Sequence, residues 1–199
     1  MSHRTEDLPP LTGPAHVFRE LRYHEASRQS FALILVFIYC FTASPRPLLV
    51  LIGLPIALAG EAFRLYASGF IVKNQELATD GPYRFVRHPL YTGNILLVVG
   101  FALAASQWWN LPVAIFFFWF YYPPAIEYED RKLQRIFGAV WDQWSSRTPA
   151  LMPRLGGAPP AQPGDRRWSL RVSTLRNGEL VFVIYCLICA AWIGWRTWG

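Results

Sequence analysis

The strongest constraint on this chain is a stretch of 39 residues, His88 to Ile126, that holds no Asp, Glu, Lys or Arg. As one helix it would extend about 58 Å at 1.5 Å per residue, roughly twice the hydrocarbon thickness of a bilayer. It therefore reads as two helices joined at Ser106-Gln107-Trp108-Trp109-Asn110-Leu111-Pro112, with the tryptophans at interface depth. Of the 199 residues, 53% are hydrophobic and only 16% charged, against roughly 25% charged in soluble domains. Lipid is the expected solvent.

Other runs repeat the pattern. Gln29 to Pro45 is uncharged and closes in the proline-rich turn Ser44-Pro45-Arg46-Pro47. Pro47 to Val72 carries two charges, Glu61 and Arg64, three apart on one helical face and costly to turn toward lipid. Leu180 to Trp195 is uncharged and spans if Glu179 and Arg196 snorkel. From Glu127 to Trp144, Leu133, Phe137, Val140, Trp141 and Trp144 recur at helical spacing among charges, which predicts an amphipathic helix on the membrane surface, interrupted near Gly138.

The predicted architecture is all-α: a polytopic membrane protein with about five transmembrane helices and an amphipathic helix at the cytosolic face. A polar N-terminal segment, 1–28, shows no signal-peptide pattern. The membrane core, 29–152, has spans at about 29–45, 47–72, 88–106 and 109–126. A Pro/Gly/Arg-rich linker, 153–178, reads as mobile over Pro153 to Asp165, and 179–199 is a C-terminal transmembrane helix.

With the N-terminus inside, 16 of the 19 basic residues fall on inner segments; Arg46 and Arg196 fall outside and Arg64 lies within a span. The positive-inside rule then puts the N-terminus and the polar segments 73–87 and 127–176 in the cytoplasm, and the expected location is a bacterial inner membrane. The net charge of +6 points to anionic lipid headgroups rather than nucleic acid. Cys40, Cys186 and Cys189 sit in apolar runs without metal-ligand or disulfide spacing, so they read as small buried hydrophobes and no metal is expected.

Two constellations carry chemistry. Gly81-Pro82-Tyr83-Arg84-Phe85-Val86-Arg87-His88-Pro89-Leu90-Tyr91-Thr92-Gly93 sets fixed cations, an imidazole and two tyrosines where an apolar helix begins. Taken singly these are a turn, inner-side anchors and an interface aromatic. Glu127-Tyr128-Glu129-Asp130 places three acids at the end of the fourth span, more than capping a helix requires. The intervening hairpin returns the acids to the side of His88 and Tyr91, where such a pocket suits a zwitterionic cofactor.

Arg87-His88-Pro89-Leu90-Tyr91-Thr92-Gly93, with Gly60 through Arg64, Ala67, Leu77 through Tyr83, Glu129-Asp130, Leu133, Phe137-Gly138 and Arg147-Thr148-Pro149, resembles the isoprenylcysteine carboxyl methyltransferase and phospholipid methyltransferase superfamily of integral membrane enzymes. The resemblance runs from about Gly60 to Pro153. It implies S-adenosylmethionine as cofactor, held by Gln75, Glu76, Leu77, Ala78, Tyr83, His88, Pro89, Leu90, Tyr91 and Glu129. The chain departs from the pattern at Asp130, which replaces a second glutamate, at Ala125, where the prenylcysteine enzymes carry an arginine facing the acceptor, and in the apolar run after the motif.

Methyl transfer from a sulfonium needs positioning and water exclusion rather than a nucleophilic triad. Arg87, His88 and Glu129 are the expected catalytic residues. Arg84 or Arg87 is expected on the methionine carboxylate and Glu129 on the ammonium or ribose hydroxyls. An amine acceptor needs a base, with Glu127, Glu129 or His88 as candidates. Arg64 and Arg147 are the expected substrate contacts, with an ion pair to Glu61 as the structural alternative for Arg64. The expected partners are membrane lipids and a lipophilic methyl acceptor whose carboxylate, thiol or amine group the sequence leaves open. A nicotinamide-dependent membrane reductase and a non-catalytic membrane scaffold are the competing readings.

Overall fold

The computed structural model describes residues 4–6, 8–72, 75–159 and 167–199. Its helices are α1 (Gly13–Tyr23), α2 (Glu25–Thr42), α3 (Pro47–Ser68), α4 (Pro89–Ala104), α5 (Asn110–Phe137), α6 (Ala139–Ser145) and α7 (Glu179–Trp198). The described residues form no strand, so the all-α expectation holds. Two helices, α3 and α7, are long and apolar enough to cross a membrane by length and composition. Lys73 and Arg166, counted above among the inner basic residues, lie outside the described residues, as does the 160–166 part of the linker.

The closest packing is between α3 and α4, and small residues permit it. A Cβ on Gly53 would stand 2.5 Å from the Gly100 carbonyl oxygen, and one on Gly60 2.7 Å from that of Gly93. Gly53 against Gly100 and Gly60 against Gly93 make the two helices antiparallel. With no side chain between them, the backbones touch, as small residues allow in helices that lipid does not push together.

The long helices alternate in direction. At one end the turn after α2 meets the α4–α5 hairpin: Ser44 N–H donates to Ala105 O at 3.0 Å and Arg46 N–H to Ser106 Oγ at 3.0 Å. The end of α7 joins them, Arg196 donating to Phe41 O at 3.1 Å. His88, Glu129 and Glu179 lie at the other end, at the start of α4, past the middle of α5 and at the start of α7. Outward-facing apolar side chains, among them Phe37 and Phe41 of α2, Ile115 and Trp119 of α5, and Leu187 and Ile188 of α7, remain exposed.

The hairpin lies where the sequence places it, with Trp108 exposed and Asn110 buried, its Nδ2 donating to Ala102 O at 3.1 Å. The helix after it differs from expectation. No break separates the fourth apolar run from the amphipathic segment: α5 continues to Phe137 through Pro123 and Pro124 and stops at Gly138, with φ 53°. A proline leaves the carbonyl four residues earlier without its helical donor. Arg22 of α1 supplies one, its Nε donating to Phe120 O at 2.9 Å. The N-terminal segment is thus partly helical and docked on α5.

Glu179 does not snorkel. It is buried, and its carboxylate meets Arg64 at 2.8 Å. The described flanks of the 153–178 segment are also tied down. Arg154 N–H donates to Phe85 O at 2.9 Å, and Asn177 Nδ2 to Ser68 O at 2.8 Å. The three cysteines are free and buried.

Candidate active site

The site is assembled at the start of α4. Pro89 opens the helix, since a missing N–H costs nothing at a first-turn position. The residues just before it are held by the chain after α6: Arg87 N–H donates to Pro149 O at 2.8 Å and His88 N–H to Ala150 O at 3.1 Å. Thr92 Oγ1 donates to Leu151 O at 2.9 Å. Pro149 of the downstream motif, with Ala150 and Leu151 after it, therefore acts through main-chain carbonyls that fix the backbone around His88.

Around His88 the two constellations meet. Its Nε2 lies 2.9 Å from Asp130 Oδ1 and its Nδ1 3.5 Å from Glu129 Oε2. Tyr91, one helical turn on, stacks on the imidazole with centroids 5.5 Å apart and donates its hydroxyl to Glu129 Oε1 at 2.6 Å. Arg87 Nη2 reaches Asp130 Oδ2 at 3.1 Å, and its Nη1 donates to Ser145 O at 3.2 Å. The shorter acid at position 130 thus spans both His88 and Arg87.

These contacts set the charge states. Burial lowers the His88 pKa, but hydrogen bonds and charge from Asp130 and Glu129 outweigh it and raise the pKa above the ordinary 6.5. Burial raises that of Glu129, but His88, Tyr91 and Arg28 outweigh it and hold the carboxyl below its usual 4.5. Both shifts favour the charged forms, an imidazolium beside a carboxylate. Burial keeps the Tyr83 hydroxyl neutral by pushing its pKa up.

A cavity of about 460 Å³ opens beside this cluster. Glu76, Leu77, Ala78, Tyr83, Arg87, His88, Pro89, Leu90, Tyr91 and Glu129 all line it, so the structure brings together nine of the ten residues that the resemblance assigns to the cofactor, with Arg87 beside them. Gln75 is exposed and not among the lining residues, its N–H donating to Val72 O at 3.3 Å. Arg64 lines the cavity deeper in. Its guanidinium is held by Glu179 and Asn94 and faces Glu61 at 3.5 Å. Arg147 is exposed, outside the lining, and its carbonyl accepts from Arg154 Nη1 at 3.1 Å. Arg84 is exposed too and donates to Ala158 O at 3.2 Å. Glu127, half a turn from the cavity face, accepts from the Tyr23 hydroxyl at 3.0 Å. Ala125 is buried in the helical core and does not line the cavity.

Sequence reasoning missed much of the wall. Arg28 of α2, Asn94 of α4, and Glu179 and Phe182 of α7 all line the cavity. The only local signal among them is Arg28, a cation in the first turn of a helix, where the macrodipole disfavours positive charge.

The helical fold gathers this cluster and its cavity at one end of helices compatible with a membrane. Residues 49–140 match the family described as phospholipid methyltransferase. Over that segment the chain is similar to the isoprenylcysteine carboxyl methyltransferase and phospholipid methyltransferase superfamily, in agreement with the resemblance carried by the motifs. Among its relatives, the cobalt-zinc-cadmium resistance protein CzcN of Cupriavidus metallidurans is 34% identical over 128 residues, 64% of this chain and 56% of that protein. The nickel-cobalt-cadmium resistance protein NccN of Alcaligenes xylosoxydans xylosoxydans is 37% identical over 106 residues, 53% of this chain and 48% of that protein. Protein-S-isoprenylcysteine O-methyltransferase of Schizosaccharomyces pombe is 26% identical over 95 residues, 48% of this chain and 40% of that protein. The chain spans about half the length of the curated relatives it matches. No solved structure gives a significant match.

Proposed function

We propose that this protein transfers the methyl group of S-adenosylmethionine to a lipophilic acceptor at the cytosolic face of a bacterial inner membrane. The observation that carries this reading is the hydrogen-bonded set Tyr91–Glu129–His88–Asp130 on the wall of a cavity that is also lined by apolar side chains of α2, α4, α5 and α7.

S-adenosylmethionine supplies an electrophilic methyl group on a sulfonium; the protein supplies position and dryness. Glu129, ionised and aimed by Tyr91 and His88, accepts from an ammonium or ribose hydroxyls. His88, held between two carboxylates, orders the acids. Arg87 serves Asp130 and Ser145 O and sits behind the cluster, positioning it. Leu77 and Ala78 offer an apolar wall beside Tyr83 and Trp144.

The acceptor's tail is assigned to the deeper part of the same cavity, where Val36 of α2, Val98 of α4, Phe117 of α5 and Phe182 of α7 line the wall. Helix α7, outside the family match, thereby takes a role in acceptor binding. A carboxylate acceptor finds no cation at Ala125, and Arg64 is already engaged by Glu179 and Asn94, so a prenylcysteine carboxylate is a poor fit. Amine or thiol acceptors suit this wall better.

Five spans, α2, α3, α4, the apolar half of α5, and α7, with the N-terminus in the cytoplasm, complete the reading. The alternating helix directions, the exposed apolar girdle and the basic residues gathered at the site end support it. The test is equilibrium binding of S-adenosylmethionine and of reduced nicotinamide to the detergent-solubilised protein, followed by methyl transfer into a bacterial membrane lipid extract. Binding of the nicotinamide and not of S-adenosylmethionine overturns the reading.

A further inference from the structure

Arg28 stands apart from the other guanidinium groups on the cavity wall. Arg4 is paired with Glu25, Arg64 is held by Glu179 and Asn94, and Arg87 by Asp130 and Ser145 O, whereas Arg28 has no carboxylate within ion-pair distance among the described residues. Arg28 is 6% exposed, lines the cavity, and its Nη1 is buried without a hydrogen-bond partner among the described residues. Burying a guanidinium nitrogen unpaired is costly. Its place in the first turn of α2 adds to that cost, because the helix dipole there repels a cation. Helix stability gives no reason for an arginine at this position.

Its surroundings show what it is placed to meet. The guanidinium lies over the Tyr91 ring, 5.1 Å from the centroid, while the hydroxyl of that ring is bonded to Glu129. A buried cation and a carboxylate thus flank one tyrosine, with no ion pair within 4 Å joining them among the described contacts. The arrangement matches an α-amino acid zwitterion, with its ammonium toward Glu129 and its carboxylate toward the free Nη1.

We propose that Arg28 is the carboxylate receptor for the amino-acid end of the methyl donor, a role supplied by α2 from outside the family segment. This rests on the donor reading above and replaces Arg84 and Arg87 in the role expected from sequence. Arg28 binds and orients; it takes no part in bond making.

The test compares two adenosyl ligands on the solubilised full chain by calorimetry. S-adenosylhomocysteine carries the amino-acid group, and 5′-methylthioadenosine lacks it. In Arg28→Gln, S-adenosylhomocysteine binding should weaken roughly ten- to a hundredfold while 5′-methylthioadenosine binding stays within about twofold of the parent. Arg28→Lys should recover part of the loss. Retained 5′-methylthioadenosine binding also shows that the variant is folded. Equal weakening of both ligands, or of neither, overturns the assignment while leaving the donor reading intact. Unchanged S-adenosylhomocysteine affinity with weakened binding of an anionic alkyl phosphate moves Arg28 to the acceptor and overturns it too. If the parent binds neither adenosyl ligand, the donor reading falls and the assignment with it.

Discussion

Arg64 of α3 and Glu179 of α7 form a buried ion pair, Nη2 to Oε2 at 2.8 Å, across 115 residues of chain. Asn94 of α4 completes the guanidinium's contacts and Phe182 lies beneath it, 4.6 Å from the ring centroid. The C-terminal helix is thereby keyed to the two helices that carry the family core, and the key forms part of the cavity wall.

Removing one member of that pair leaves an uncompensated buried charge. Glu179→Ala is expected to lower stability by about 3–5 kcal/mol, and Arg64→Met combined with Glu179→Leu by distinctly less than either single change. Thermal unfolding in detergent checks this. A double variant as unstable as the sum of the singles contradicts the pairing.

Tyr91→Phe deletes one hydrogen bond to a carboxylate and should weaken S-adenosylmethionine binding by about 1.5–3 kcal/mol. His88→Ala and Glu129→Ala should each weaken it at least as much, because both remove a group on the cavity wall. Three variants that bind like the parent place the donor elsewhere.

The His88 cluster predicts a defined pH response. A raised histidine pKa means that this contribution is full below the ordinary 6.5 and is lost as pH rises through the folded value. The lowered Glu129 pKa means that its contribution is present above the ordinary 4.5 and is lost as pH falls through the folded value. Melting temperature should therefore decline on the alkaline side in the parent, and this decline should flatten in His88→Gln. An unchanged alkaline limb shows that another group titrates.

Backbone contact between α3 and α4 makes Gly100 intolerant of any side chain. A Cβ there would lie 2.3 Å from the Ala57 nitrogen, whereas one at Gly194 of α7 meets nothing within 4 Å. Gly100→Ala should cost about 1–3 kcal/mol by forcing the helices apart. Gly194→Ala should be neutral or stabilise by up to about 1 kcal/mol through helix propensity. Melting curves of the two variants decide it, and equal effects argue against the close approach.

Single cysteines introduced at Trp109 and Gly157 test the five-span topology in sealed cells with the native cysteines removed. An impermeant reagent applied from outside should label position 109 and miss 157. The reverse pattern rejects the orientation.

The helices were legible because their causes are local. Runs without charge, the proline turn at 44–47 and the Ser106–Pro112 hairpin each reflect chemistry within a few residues, and the structure places helix ends close to them. The Arg87–Gly93 motif and the acids at 127–130 were also readable, since a two-helix hairpin returns the second to the first. The end of the fourth apolar run was misleading: loss of hydrophobicity at Glu127 is a solvent boundary, and the helix continued because its hydrogen bonds do not depend on side-chain polarity.

What tertiary structure alone decided is which charges are spent and which are free. Sequence spacing offers Glu61 as the partner of Arg64, one helical turn away, but the shorter contact is to Glu179, whose position follows from α7 packing against α3. Arg87 looked available and is consumed by Asp130, while Arg28, one of the basic residues counted on the inner segments, is buried with an unpaired nitrogen beside Tyr91. The charges themselves are written in the sequence. Their pairing depends on where three helices meet, and contacts between residues a hundred positions apart leave no trace in local pattern.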